Sequence, residues 1–441
     1  MDRLPVSPSL TMASRTPTTL FGVDTRVLIL ALARMTDSVG NSFLIVVLPL
    51  YIASAAISGG TLGLSESVLT GVILSMFGFL NSLGQPFTGR LSDRMGRRKL
   101  FVLTGLAFLA VANFAYSLVG TYVSMVFIRG MQGVGAAFTI PATIALVNEY
   151  ATAENRGGNM GTFNTLRLIG FGAGPVVAGF VVDGGPYHLD GLSITGFDAA
   201  FYIAALSAVV SFTLVTLFVS DVEGVEAEAS DDITFAAFDR EGDHLLDPVF
   251  TLGLASLFMA IGIALLATIE PAVNARLDQG PTAFGVQFGA FILAQVLFQA
   301  PIGRASDRYG RRLFILLGLS LLAPATLAQG LVVAPWQMVV ARFLQGVAGA
   351  MVFAPALALA GDLARAGESG SKLSILTMSF GLGTAIGPLA SGFLVQFGFV
   401  TPFAFGATLA VAGLVLVFTQ VEETLKNPER PPVLRRWTGG D

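Results

Sequence analysis

Apolar runs of bilayer length follow one another down this chain, and that feature decides most of what it can fold into. They cover about 28–52, 67–89, 99–118, 121–147, 158–182, 198–220, 249–269, 283–302, 312–332, 336–360, 371–396 and 402–420, with short polar joints between them. A helix rises about 1.5 Å per residue, so roughly 20 apolar residues carry it across a hydrocarbon core. The strands of a membrane barrel would be half as long and would alternate apolar with polar residues; these runs do not alternate. Of 441 residues 54% are apolar and 12% charged, against roughly 25% charged in a soluble domain. Little remains for soluble structure. The expectation is an all-α integral membrane protein of twelve transmembrane helices.

Composition also excludes several chemistries. The chain has no cysteine, hence no disulfide framework, thiolate metal site or thiol nucleophile. Its two histidines, His188 and His244, fall in joints and form no imidazole cluster. No G-x-x-x-x-G-K-[ST] sequence is present to cradle a nucleotide. The reading is therefore of a non-enzyme without cofactor, metal or nucleic-acid partner, monomeric in the bilayer and acting on a small molecule. The first 25 residues are polar and rich in Ser, Thr and Pro, with no sign of a removable signal peptide.

Basic residues set the direction. If the N-terminus is inside, the inner joints and tails hold 20 of the 25 basic residues and the outer joints hold Arg276 alone. The other four, Arg34, Arg129, Arg167 and Arg342, fall within runs. Both termini are thus expected in the cytoplasm, with the chain in the plasma membrane. Residues 221–247 carry ten acids and one arginine and read as a solvated linker. The expected organisation is a tail (1–25), a six-helix bundle (26–220), this linker (221–247), a second six-helix bundle (248–420) and a tail (421–441).

The bundles are copies of one another. GRLSDRMGRRKLF at 89–101 recurs as GRASDRYGRRLFI at 303–315, an offset of 214. RGMQGVGAAF from Arg129 returns as RFLQGVAGAM from Arg342, offset 213. Gly170, Gly174, Pro175 and Gly179 return as Gly383, Gly387, Pro388 and Gly392. Three motifs at nearly one spacing indicate a duplicated six-helix unit. The joint signature resembles that of the major facilitator superfamily, whose two halves are parallel repeats. It is complete twice, at Gly89, Asp93, Arg94, Gly96, Arg97, Arg98 and at Gly303, Asp307, Arg308, Gly310, Arg311, Arg312.

That resemblance implies a twelve-helix secondary transporter in two six-helix pseudo-repeats, working by alternating access. It implies that the joints latch the two halves in the outward-closed state. Glu149 and Asp362, closing the fourth and tenth runs, are the expected partners of the joint arginines. The alternative is that these arginines only fix topology. Gly161, Gly170, Gly174, Pro175 and Gly179, with Gly387 and Pro388 in the second copy, resemble the antiporter motif of drug exporters. Small residues there would let the fifth and eighth helices approach, or would serve ordinary packing.

Charges inside spans are costly and mark candidate sites. Arg34, Asp37 and Asn41 share one face of the first run. Arg129 with Gln132, Asn164 with Arg167, and Arg342 with Gln345 form similar stripes. Arg129 is the expected partner of Asp37. Glu270 ends the seventh run as either a gate or a solvated end. Proton-coupled export of amphipathic, drug-like compounds is the first expectation, with Asp37 carrying the proton. Acidic joints and scarce lysine leave sodium as an alternative ion. Four arginines against one aspartate leave an anionic metabolite as an alternative cargo. A non-transporting sensor or a membrane enzyme fits less well.

Overall fold

The computed structural model describes residues 19–20, 23–54, 57, 59–61, 63–151, 156–189, 192–222, 237–238, 245–363 and 369–425. His244, most of the acidic linker and most of both tails lie outside the described residues.

Thirteen α-helices stand among those residues: α1 Thr25–Ala53, α2 Glu66–Met95, α3 Arg98–Ala115, α4 Tyr122–Tyr150, α5 Arg156–Asp183, α6 Gly196–Phe218, α7 Pro248–Ala264, α8 Glu270–Leu277, α9 Pro281–Tyr309, α10 Arg311–Leu331, α11 Pro335–Asp362, α12 Ser369–Leu394 and α13 Thr401–Gln420. Twelve of the helical segments are long and apolar enough to cross a membrane; α8 is the extra, short one. It exists because the seventh span is broken. α7 tightens into a 3-10 turn at Leu265–Thr268, and Ile269 precedes α8.

Starts and stops follow side-chain chemistry. Asp24 caps α1 by accepting from the Arg26 backbone N–H at 2.8 Å, and Asp247 accepts from Val249 and Phe250 at the start of α7. Burial alone would raise the Asp24 carboxyl, but the Arg26 contacts prevail and hold it below the usual range. Gly96 ends α2 at φ 60°, a left-handed conformation that favours glycine.

The two halves pack by one plan. In the first, α1 lies against α5 and α6, and α4 against α2 and α3; in the second, α7 lies against α12 and α13, and α11 against α9 and α10. The halves meet along two seams, α5 with α9 and α2 with α12. Both seams are tight on the face away from the chain termini, here called distal. A Cβ added to Gly71 would come 2.6 Å from the Pro388 carbonyl oxygen, and one on Gly179 would come 2.6 Å from that of Pro281. Asp183, ending α5, accepts hydrogen bonds from the Thr282 backbone N–H (3.0 Å) and hydroxyl. Toward the termini the seams part. Gly89, Gly161 and Gly303 have nothing from the other half within 4 Å. The conformation is closed on the distal face and parted on the termini face.

Candidate functional site

Asp37 is 3% exposed at the middle of α1 and forms an ion pair with Arg34 one turn earlier. The pair borders a void of about 10 Å³ walled by Leu30, Val102, Leu106, Thr139, Thr143 and Ser211, from α1, α3, α4 and α6. It therefore faces the interior of the first bundle. Gly40 fixes that orientation, since a Cβ there would come 2.9 Å from the Ala204 carbonyl oxygen on α6. Arg129 is not the partner expected for Asp37; residues at i, i+3 on one helix face already satisfy each other. Asn41, a turn further on, buries its side-chain oxygen without a hydrogen-bond partner.

Arg129 instead belongs to a constellation built twice. It donates to the Gln132 side-chain oxygen at 2.9 Å and lies 4.9 Å from the centre of the Phe77 ring. Gln132 also accepts from the Tyr116 hydroxyl at 3.1 Å and donates to Asn113. In the second half Arg342 donates to Gln345 at 2.6 Å and to the Ile263 carbonyl at 3.3 Å, 4.6 Å from the Phe291 ring and 5.1 Å from that of Phe288. Gln345 donates to Thr326 at 3.0 Å. Asn113 and Thr326 are repeat equivalents, as are Phe77 and Phe291. The ring faces take the place of carboxylates. Sequence reasoning found both arginines and missed both rings, although the phenylalanines fall at the repeat spacing.

Arg342 has no exposed surface, and its Nε and Nη2 have no hydrogen-bond partner; the Nε of Arg129 is likewise unpaired. Arg167 donates twice to Asn164, at 2.9 and 3.1 Å. One turn on, Phe171 meets Phe288 across the seam with ring centres 6.0 Å apart, so Phe288 stands between that seam and Arg342. Glu270 is not a solvated helix end: it is fully buried, and neither carboxylate oxygen has a hydrogen-bond partner.

At the joints the charges close within each half. Arg98 pairs with both Asp93 and Glu149; Arg311 pairs with Asp307 and Asp362. All partners in the first network lie in the first half and all partners in the second lie in the second half, so these two networks do not themselves bridge the halves. Arg94 and Arg97 are exposed, and Arg308 lies 5.9 Å from the Tyr309 ring. The two joints differ in phase. Arg97 stands outside α3, whereas α10 begins at Arg311 directly after Gly310. Arg98 thus corresponds in space to Arg311, and Lys99 to Arg312. Lys99 bonds the end of α6 through Asp221 and Thr216, while Arg312 bonds the end of α13 through Phe418 and Glu423. Beside the first joint a cleft of about 310 Å³ opens between α2 and α4, lined by Gln85, Gly89, Asp93, Arg98 and Asn148.

The glycine series divides its labour. Gly170 packs on the Met35 backbone and Gly174 on Ser42 and Val39, all in α1. In the second half Gly387 packs on Ile261 and Ala264 of α7. The expected approach of the fifth and eighth spans rests on Gly172 and Gly179, and on Gly285 of α9, which meets Pro175. Gly161 faces open space.

The family model described as Major Facilitator Superfamily matches residues 30–252 and again 252–438. The chain is 22% identical to the quinolone resistance protein NorA of Staphylococcus aureus over 88% of its own length and 94% of that protein's. It is 27% identical to multidrug resistance protein 1 of Bacillus subtilis over 43% of its length, about half (49%) of that relative. Its fold resembles that of a bacterial homolog of the human lysosomal transporter Spinster, crystallised in an inward-facing, occupied conformation. There the TM-score is 0.68 at 13% identity, over 89% of this chain and 94% of that one.

Proposed function

Since this chain belongs to the Major Facilitator Superfamily, we propose that it exports drug-like or amphipathic small molecules in exchange for protons. It does so in the plasma membrane, as a monomer with both termini in the cytoplasm. In that orientation the distal face is extracytoplasmic, and the conformation described above is parted toward the cytoplasm. The observation that carries the proposal is Asp37, a carboxylate buried at mid-span and held by a single guanidinium on its own helix. Protonation breaks such a pair and releases Arg34, so a proton and a rearrangement of the first bundle become one event. The names of the resistance relatives support the cargo class. Sodium at the same carboxylate is the variant of this reading to be separated from protons.

One observation favours a second cargo. Arg129, Arg167 and Arg342 hydrogen-bond only to amide or carbonyl oxygens, with no carboxylate among those partners. Buried guanidiniums of this kind suit a cargo with an anionic group, taken up or exchanged.

Reconstitution into vesicles with an imposed pH or sodium gradient tests both. Accumulation of lipophilic cations driven by the pH gradient is expected; accumulation restricted to small organic anions would replace the first reading by the second. Asp37→Asn should abolish uphill accumulation and leave downhill exchange measurable, because asparagine keeps the shape but cannot titrate. Uphill transport by Asp37→Asn with an unchanged pH profile would remove Asp37 from coupling.

A further inference from the structure

The broken seventh span places an acid where no charge is accommodated. Glu270 opens α8, directly after the Leu265–Thr268 turn and Ile269. A helix start ordinarily offers backbone N–H groups to a carboxylate. Here Pro271 has no N–H to offer, and both oxygens of Glu270 remain unpaired. The nearest polar side chain, Asn274, is close enough to interact, yet its amide nitrogen also lacks a partner. Its oxygen is taken by Gln279 at 3.0 Å, and Gln279 is tied reciprocally to Gln287 of α9 at 2.7 and 3.2 Å. Gln279 and Gln287 are thus committed elsewhere, and the Asn274 amide nitrogen is the one neutral donor left near the carboxylate.

The surroundings supply no cation. α8 packs on α1 and α9, and the preceding turn packs on α1, α2, α7, α12 and α13. Over their distal halves, these helices carry one formal charge, Glu66, exposed at the start of α2. The charge that does reach Glu270 is the acidic Asp183 at the end of α5. Arg276, on α8 itself, is engaged with the Val332 carbonyl at 3.2 Å and with the Phe399 ring. Asp278, just beyond α8, is exposed. Burial therefore holds the Glu270 carboxyl well above the usual carboxylate range; Asn274 lowers it somewhat, and Asp183 raises it further.

The position is strategic. The turn before Glu270 is pinned to the α2–α12 seam, because the Thr268 hydroxyl donates at 3.0 Å to the same Pro388 carbonyl that Gly71 packs against. The residues after it lead through Gln279 to the start of α9, where Thr282 meets Asp183 of the other seam. One buried acid thus sits between both distal closures.

We propose that Glu270 is a proton-binding residue of the distal gate, its neutral form sealed in when that face closes and its charged form requiring the face to open. This deepens the transport proposal above by adding a second proton site, separate from Asp37. By linkage, the closed form binds the proton more tightly, so it is fully favoured below the ordinary glutamate range, about pH 4.3. Above that, the closed-to-open ratio falls by up to tenfold per pH unit until the raised value of the closed state is reached.

Spin labels on Leu64→Cys and Gln396→Cys, both exposed on the distal face, read the gate in the full chain in nanodiscs, with no native cysteine to interfere. Between pH 5 and 9 the labelled protein should shift from short to long distances. Glu270→Gln and Glu270→Met should each hold the short distance throughout, and Asp37→Asn should keep the pH response. Two neutral replacements guard against one of them failing to fold, and the Met variant needs no hydrogen bond from its pocket. A gate distance indifferent to pH in the labelled parent overturns the proposal. So does an undiminished pH response in either folded neutral variant. The gate proposal can fail in this way while Asp37-dependent transport stands, and the reverse holds in the vesicle assay.

Discussion

The two termini-side joints show how far a single residue can shift a role. Arg98 is 8% exposed and bonds two carboxylates, whereas Arg97 is exposed. Arg98→Gln leaves Asp93 and Glu149 without their cation and should cost about 1–3 kcal/mol, read as a fall of several degrees in the melting temperature of the solubilised protein. Arg97→Gln should leave that temperature unchanged. In the second joint the order reverses, with Arg311→Gln the costly change and Arg312→Gln the milder one, since only Arg311 bonds Asp307 and Asp362. Equal effects within each pair would contradict the assignment. Aligning the motifs letter by letter equates Arg98 with Arg312, which the geometry does not. The signal was in the sequence: the repeat spacing drops from 214 at the joint to 213 at Arg129 and Arg342, so one residue is missing in between. One residue turns a helix by about 100°, enough to exchange the inward arginine for its neighbour. The partners of Arg129 and Arg342 were less legible. Helical spacing places glutamine beside each arginine, but a ring on a neighbouring helix becomes visible only when the helices are packed.

Among elements, the long helices were legible because lipid leaves the backbone no other partners and forces membrane-length apolar runs. The break before α8 was not, since the Leu-Leu-Ala-Thr of the turn is as apolar as the helix it interrupts. The seams carry a pattern that only packing reveals. Gly78 meets Ala385 in one; at the equivalent level of the other, Gly172 meets Ile292, with small and large exchanged between helices. A Cβ on Gly78 or Gly172 would stand 2.7 Å from its neighbour. Gly172→Ala alone should therefore wedge α5 from α9 and lengthen the distal spin-label distance. Adding Ile292→Gly, which removes both the Cγ2 and the Cβ that the new methyl would meet, should recover closure beyond the sum of the single effects. Strict additivity would mean that this contact does not hold the seam.

For the whole molecule, duplication was readable from three motifs and predicts the matched packing plan of the halves. Which way the halves lean was not readable, because every contact that closes the distal face joins residues far apart in sequence. The central claim is that these halves rock about the two seams, so that closing one face opens the other. Paired distances in one protein test it most directly: Leu64→Cys with Gln396→Cys on the distal face, and Gly158→Cys with Arg304→Cys, both exposed, on the termini face. As pH and cargo are varied, the distal distance should lengthen whenever the termini-side distance shortens, with matching populations. Distances that rise and fall together, or stay fixed while reconstituted protein transports, would contradict the account.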